Sequence, residues 1–554
     1  MLQRIKILIY FCVLTLLPGC TAKLQAEPEI YIRFNQVGYN SADVKTAVIL
    51  SESNLEGSTI SLINSKSGEK VYSSPLSNNR GAYGNFPFTY QIDFSALRSD
   101  GEYYFQYAQQ KTFSFKISKD VFNGLADSLL QFFKVQRCGY TDPYMHKVCH
   151  ISDATSLIEG KKSVNKTVDV TGGWHDAGDY VKFLNTTAFS TYMLLFSYDF
   201  DPAKFAFDTN KNGTPDILEE AKIGLDWMLR AYFDKNKLIT QVQDLRDHDT
   251  GWRMPEEDQL GFDRPAYVGM GKNLIGIYAA TMALASRIWK DKLHYQEYSD
   301  QCIKAAENIY SIRERVADVD SSGSGQYLDK NFEGKMALGA SELYIATMKS
   351  SYLNDAIAYA DSANSDYWWS WGNINVLAHY RLSKYMPRFS LYIKNNLAAF
   401  NNNKNSNLFG KGADVSWGTN VTLLGISLQN ILYKRLTRDN QYDSLATIQR
   451  DFILGRNSWG VSFIAKAGKN YTADFHHQIG EIKGRLPGGF AAGPAKKDFI
   501  DKYKLNYSKR DKYAKFQTND DYYRDDKVDY ITNEPTITGN ATAIFVFGNY
   551  SSVK

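Results

Sequence analysis

Two aspartates three positions apart, Asp176 and Asp179, sit in the stretch Thr171 to Phe183, TGGWHDAGDYVKF, with Trp174, His175 and three glycines about them. Glycines at this density allow positive φ and a close approach of backbone to a ligand, which describes a tight loop and not a helix or strand. On such a loop both carboxylates can converge on one water and act on its proton. The plain alternative is a turn whose aspartates cap the helix that follows. Far down the chain is Glu534, in the stretch Asp525 to Ala541, DDKVDYITNEPTITGNA; read alone it is an ordinary surface carboxylate, and only pairing with the aspartate loop gives it another meaning. Its neighbours Tyr530, Ile531, Pro535 and Ile537 are able to raise its pKa and keep it protonated, whereas Asp179 beside Asp176 on a polar loop stays ionised. A protonated and an ionised carboxyl serve general acid and base, provided the fold brings these distant segments together.

The elements that must do so fall into two regions. At 554 residues the chain exceeds what one core usually holds, so two domains are expected. Residues 29–118 alternate apolar and polar in short runs (IYIRF, KTAVIL, TISLI, YQIDF, EYYFQY, KTFSFKI) broken by turn residues, the pattern of a small all-β sandwich of immunoglobulin-like type. From residue 119 to the end the period changes. Nine segments carry apolar residues at helical spacing: Val121–Gln136, Leu218–Phe233, Leu274–Trp289, Tyr298–Arg313, Gly334–Lys349, Leu353–Ala363, Ile374–Tyr385, Val421–Leu436 and Tyr442–Leu454. With long aromatic-rich loops and no strong strands between them, they predict a mainly α toroid or bundle.

Ahead of both, residues 1–20 read as an export signal, with Arg4 and Lys6 before the apolar run Ile7 to Leu17, and residues 21–28 as a linker. Leu17-Pro18-Gly19-Cys20 resembles a lipobox, which makes Cys20 the lipidated first residue of an outer-membrane or cell-surface lipoprotein of a Gram-negative-type bacterium. A plain cleaved signal is the alternative. The 64 basic and 60 acidic residues nearly cancel and argue against a nucleic-acid partner recognised through bulk charge. A monomer is expected. The 38 Tyr, 31 Phe and 9 Trp fill cores but also suit stacking on the apolar faces of ligand rings.

Two groups of residues have metal-ligand chemistry. Cys138, Cys149, His150 and His175 offer two thiolates and two imidazoles, a closed tetrahedral set for structural zinc. A Cys138 to Cys149 disulfide with hydrogen-bonded histidines is the rival. Asp208, Asn210, Asn212, Asp216 and Glu219 place oxygens at positions 1, 3, 5, 9 and 12 of the loop DTNKNGTPDILE, with Gly213 at position 6, the spacing of a calcium loop. The rival there is a polar turn leading into a helix capped by Asp216.

Taken together, GGWHDAGDYVKF and DDKVDYITNEPTITGNA resemble the paired signatures of glycoside hydrolase family 9, the cellulase-type inverting enzymes. Further matches follow in family order: QRCG at Gln136, Trp252 with Pro255 and Glu256, DRPAY ending at Tyr267, WGTN at Trp417, LGRNSWG at Leu454, FHHQ at Phe475 and LPGGFAAGP at Leu486. FNQVGYN at Phe34 resembles the immunoglobulin-like domain that precedes many members. The resemblance implies an (α/α)6 barrel with an open cleft, Glu534 as general acid, Asp179 as general base and Asp176 as a second carboxylate holding the water, with no cofactor in the chemistry. Inversion needs the two carboxyls roughly 6.5–9.5 Å apart so that water fits between.

The implied reaction is endo-hydrolysis of β-1,4-glucosidic bonds in cellulose-like glucans. Xyloglucan, mixed-linkage glucan and glucosamine oligomers, with endo or exo action, remain alternatives, and a non-catalytic glycan-binding lipoprotein is a more distant one. The resemblance makes His476 and His477 a sugar-contacting pair and Trp252, Gln478 and Tyr530 further substrate contacts. Trp174, Trp369, Trp371 and Trp417 are additional candidate sugar platforms. Two departures bear on substrate choice: Gln478 stands where the family has Arg, and Gly539 where an aromatic is usual, so the cleft is expected to be reshaped near Glu534.

Overall fold

The computed structural model describes residues 29–552 apart from 155, 165, 259–263, 325, 326 and 328. The export signal, the lipobox, the whole linker and Asp263 of DRPAY lie outside the described residues.

The first unit is a β-sandwich. Ile30–Arg33, Thr46–Ser51 and Phe88–Asp93 form a three-stranded antiparallel sheet around the fully buried strand Thr46–Ser51. The facing sheet runs Gly38–Tyr39, Phe115–Ile117, Gly101–Tyr107, Thr59–Asn64, Lys70–Pro75. Inward residues at alternate positions, among them Ile60, Leu62, Tyr103 and Phe105, meet Phe34, Tyr39 and Phe94 in a separate apolar core, as period-2 patterning requires.

The second unit is built on twelve long helices among the described residues: α1 (Leu125–Gln136), α2 (Leu184–Phe200), α3 (Asp216–Ala231), α4 (Lys272–Asp291), α5 (Gln296–Tyr310), α6 (Glu333–Thr347), α7 (Ser350–Ala363), α8 (Asn375–Ser383), α9 (Ser390–Asn405), α10 (Thr419–Thr437), α11 (Asp443–Ile453) and α12 (Ile537–Tyr550). The even-numbered helices pack in a closed ring, α2 to α4 to α6 to α8 to α10 to α12 and back to α2. The odd-numbered ones lie against it outside, giving an (α/α)6 barrel. Glu342 of α6 helps close the ring. It accepts hydrogen bonds from Tyr192 of α2 and Arg381 of α8 and pairs with Arg287 of α4 at 2.7 Å. Desolvated charges persist only when paired in this way.

Three helices, α2, α9 and α12, carry no clear stripe in the sequence. α2 and α12 are enclosed nearly all round, so they have no polar face to set a period. α9 ends in an asparagine-rich stretch of weak helix formers. A five-stranded sheet, Lys162–Val164, Ser156–Glu159, Pro265–Gly269, Leu238–Val242, Lys182–Phe183, also departs from the expectation of no strands in this region. Its strands are two to five residues long, too short for alternation to register, and the last of them anchors the end of the Thr171 to Phe183 loop.

The two units are joined by buried polar contacts. Asn35 donates to Asp451 at 2.8 Å, Asp43 pairs with Arg450 at 2.8 Å, and Gln36 both donates to the carbonyls of Gly460 and Asn470 and accepts from the amides of Lys469 and Asn470.

Candidate active site

Three chain segments meet at one end of the barrel, held by backbone hydrogen bonds. The loop before α2 is closed by the Asp176 amide donating to Val181 at 3.0 Å, and Gly172 and Gly173 take φ of 87° and 74°, where a side chain is strained. The Gln478 amide donates to Gly178 at 3.1 Å, the His476 amide to Asn533 at 3.3 Å and the Ile537 amide to Asp176 at 3.0 Å. Gly178 is required for another reason: a Cβ there would lie 2.3 Å from the carbonyl oxygen of His476 and 3.3 Å from Oε1 of Glu534. Glu534 itself stands in an extended link between the short helix Tyr530–Asn533, capped by Asp529, and α12, capped by Thr536.

Asp179 and Glu534 both line a cleft of about 1490 Å³. Oε1 of Glu534 accepts from the Gly178 amide at 3.2 Å. Burial, and then the charge of Asp179, push the Glu534 carboxyl up to about 8, so it is protonated at neutral pH. Burial would also raise Asp179. The hydrogen bond and positive charge of His248, with the Val181 amide, outweigh it and hold Asp179 below its ordinary value. His248 Nε2 lies 2.5 Å from Oδ2 of Asp179, and this contact lifts the imidazole to about 9. The site thus contains one neutral acid and one carboxylate paired with an imidazolium.

Asp176 sits behind this pair, buried and absent from the cleft wall. Burial and the charge of Asp179 raise it to about 7, against hydrogen bonds from Thr186 and Tyr327 that lower it. Near neutral pH Asp176 is thus only partly ionised, and it lies off the cleft wall. It can brace the loop through Thr186 and the Ile537 amide.

The expected histidine pair is split. His476 lines the cleft, its Nδ1 bonded to the Lys527 carbonyl at 2.7 Å and its ring edge-on to Trp252 and Tyr530. His477 is 1% exposed, with Nε2 on Gln136 and Nδ1 accepting from the Gly480 amide; it caps a short helix and faces away from the cleft. Gln478 lines the cleft and accepts from the Arg253 amide.

Trp252, Trp371, Trp417 and Tyr530 are on the cleft wall, with Trp368 and Tyr503 as well. Trp369 is corrected: it is fully buried against Gly425 of α10 with its indole N–H on Thr542 at 3.2 Å, and offers no face to a sugar. Trp174 is corrected: it is fully buried and donates to Glu220 at 2.8 Å, because its ring fills the space between the loop and α3. Gly539 also lines the cleft, but a Cβ there would come within 3.1 Å of Val421, so Val421 and Phe490 already occupy ground where a larger side chain would stand. Sequence reasoning missed His248 and Tyr327. The Asp247-His248 pair four residues before Trp252 was the available signal for the first; nothing around Tyr327 announces the second.

Cys138, Cys149, His150 and His175 bring their donor atoms within 4.8 Å of one another, and both cysteines are free thiols, so the disulfide alternative is set aside. Burial alone would raise Cys138, but the Cys149 thiol and Lys182 hold it far below the usual thiol value, while burial keeps His175 neutral. The other two members run the opposite way. The bond to Cys138 and burial push the Cys149 thiol up, and His150, in spite of burial and the Arg264 charge, is lifted by its bonds to Asp258 and Cys138. A metal that takes thiolate and neutral imidazole would release those protons on binding. His150 Nε2 bonds Asp258 at 3.0 Å, and Asp258 bonds Arg253, so this cluster is tied to the cleft wall beside Trp252.

The loop expected to hold calcium is closed by hydrogen bonds among its own groups. Asp208 accepts from the amides of Asn212 and Gly213, Asp216 from Thr209, and Glu219 from the side chains of Asn210 and Asn212. Asparagine amides satisfy the carboxylates within the turn, and among the described residues these acids form no converging ligand group.

Comparison with known proteins accords with this geometry. A family model described as glycosyl hydrolase family 9 matches residues 122–547, and one described as a cellulase N-terminal ig-like domain matches residues 27–112. A xyloglucan-specific endo-beta-1,4-glucanase of Bacteroides ovatus is 25% identical over 608 residues, covering 97% of each chain. A cellodextrinase of Butyrivibrio fibrisolvens is 25% identical and covers 83% of this chain and 89% of its own. A metagenome-derived glycoside hydrolase family 9 endoglucanase of known structure shares the fold, with a TM-score of 0.79 at 23% identity over 94% of this chain and 99% of that one. The chain belongs to glycosyl hydrolase family 9, its (α/α)6 catalytic barrel preceded by an immunoglobulin-like domain.

Proposed function

We propose that this glycoside hydrolase cleaves β-1,4-glucosidic bonds within glucan chains, with inversion at the anomeric carbon. The observation that carries this reading is the opposite protonation of Glu534 and Asp179 on the walls of one cleft lined with aromatic rings. A glucan lies along Trp252, Trp371, Trp417 and Tyr530. Asp179 takes a proton from water as the water oxygen bonds to the anomeric carbon. The bond to the leaving oxygen breaks as Glu534 delivers its proton there. Exchange with solvent then resets both carboxyls. His248 keeps the base ionised, and Asp176 holds the loop that carries it.

Release of reducing ends from a panel of purified β-glucans tests the reading, with the first-formed anomer followed by NMR and product sizes followed in time. Intermediate-size products of inverted configuration are expected; retained configuration, or release of terminal units alone, contradicts it. Xyloglucan belongs in the panel as a second reading, favoured by the end-to-end alignment with the xyloglucan-specific relative and by the neutral Gln478 on the cleft wall.

Cys138, Cys149, His150 and His175 would hold zinc as a closed structural site, which supplies rigidity and no chemistry. Their donor set fits that ion, and His175 adjoins Asp176. Export and anchoring through a lipid on Cys20 belong to the same proposal, and a shift of the Cys20→Ser protein from the membrane to the soluble fraction is the check.

A further inference from the structure

Outside the active cleft the structure has a second groove, of about 530 Å³, bounded by α1, the loop after it, the Asp208 to Glu219 loop and α3. That volume falls within the ~300–1,000 Å³ span of small-molecule sites. Tyr144 is its aromatic wall. The ring is 39% exposed and makes no ring contact among the described residues, while its backbone amide is fixed to the Lys134 carbonyl at 2.8 Å. The loop below it is held by Arg137, which donates to the carbonyls of Thr141 and Asp142 at 3.0 Å and pairs with Glu220 at 2.7 Å. A rigid floor under a free ring face is what stacking on a flat apolar ligand requires.

Polar groups surround that ring. The side chains of Gln131, Lys134 and Asp142 line the groove and make no hydrogen bond to another group among the described residues. They offer an amide, an ammonium and a carboxylate to a ligand with many donors and acceptors. The charges balance, Lys134 and Arg137 against Asp142 and Glu219, so the groove is selective for neither anions nor cations. A ring platform among balanced hydrogen-bonding groups matches a neutral sugar chain.

We propose that this groove is a second, non-catalytic glycan-binding site that holds a neutral β-linked polysaccharide strand outside the cleft, with Tyr144 as platform and Gln131, Lys134 and Asp142 as hydroxyl partners. The choice of glycan rests on the active-site reading above. The groove keeps the enzyme on a long substrate between cuts and adds nothing on short ones.

The test uses the full chain with Glu534→Gln to prevent hydrolysis, and measures retardation in native gels containing soluble β-glucan or xyloglucan. Tyr144→Ala is expected to weaken retention roughly three- to tenfold, Tyr144→Phe to leave it unchanged, and Gln131→Ala to weaken it about twofold. In the active background, Tyr144→Ala is expected to keep its rate on short cello-oligosaccharides within about twofold, which shows that it folds, and to lose activity on polymer at limiting concentration. Unchanged retention in both Tyr144→Ala and Gln131→Ala, when the parent hydrolyses and binds the polymer, overturns the groove. A parent that releases no reducing ends from any β-glucan defeats the active-site reading instead, and takes with it the ligand assigned here.

Discussion

Glu534→Gln should damage catalysis and stabilise the fold, and the second effect should depend on pH. The folded protein holds the Glu534 proton to about 8, whereas an unfolded glutamate releases it near 4.5. Between those values the unfolded chain carries one proton fewer, so stability falls as pH rises, and it levels off above pH 8. The gap sets an upper bound of ~5 kcal/mol, and water in the open cleft is expected to reduce it to about 2 kcal/mol. Glutamine carries no such cost. At pH 4.5 the two proteins should melt together, and by pH 8 the variant should melt higher by about 2 °C, given the unfolding entropy of a chain this long. Below about pH 8 activity should fall by roughly 10²–10⁴-fold, as loss of a general acid requires, and the gap should narrow above it as the parent loses the same proton. Calorimetric or fluorescence melts at both pH values, beside reducing-sugar assays, read out the two effects. A stability difference that is the same at pH 4.5 and pH 8, or a variant with wild-type activity, refutes the assignment of a buried neutral acid.

In the parent enzyme, kcat/KM should decline on the alkaline side through about pH 8 as Glu534 loses its proton, which a pH profile on a soluble glucan will show. His248→Ala removes the cation that holds Asp179 ionised, so the acid limb of that profile should move up by about one pH unit. Asn35→Ala breaks the buried bond to Asp451 between the two units and should cost about 2 kcal/mol in denaturant unfolding while KM stays the same. Prolonged exposure to a strong chelator should lower the melting temperature by roughly 3 °C or more and reduce activity through His175 and its neighbour Asp176, with recovery on adding zinc.

Much of the site was legible because its chemistry is carried by short, dense motifs. Asp179 and Glu534 are named through the resemblance of their motifs to glycoside hydrolase family 9, and their opposite protonation states could be argued from neighbours in sequence. The cause of the low Asp179 pKa could not, since His248 reaches it only through the fold. His476 and His477 show the limit most clearly. Adjacent in sequence, they point to opposite sides because one lies at the cleft edge and the other caps a helix. All the outer helices except the asparagine-rich α9 announced themselves through an apolar stripe beside a wet face. α2 and α12 of the inner ring did not, since complete enclosure erases the contrast that a period needs. The calcium spacing alone does not decide between ion and turn, because asparagine serves equally well to fold a turn on itself.

The ring of inner helices is closed by α12, and Glu534 immediately precedes it. A chain still emerging from the ribosome therefore has its base loop well before it has either its proton donor or the stave that completes the barrel. Competence to cut sugar is expected to arrive in one step, when residues 534–550 have been made and docked, so termination anywhere upstream of them should yield no partly active product.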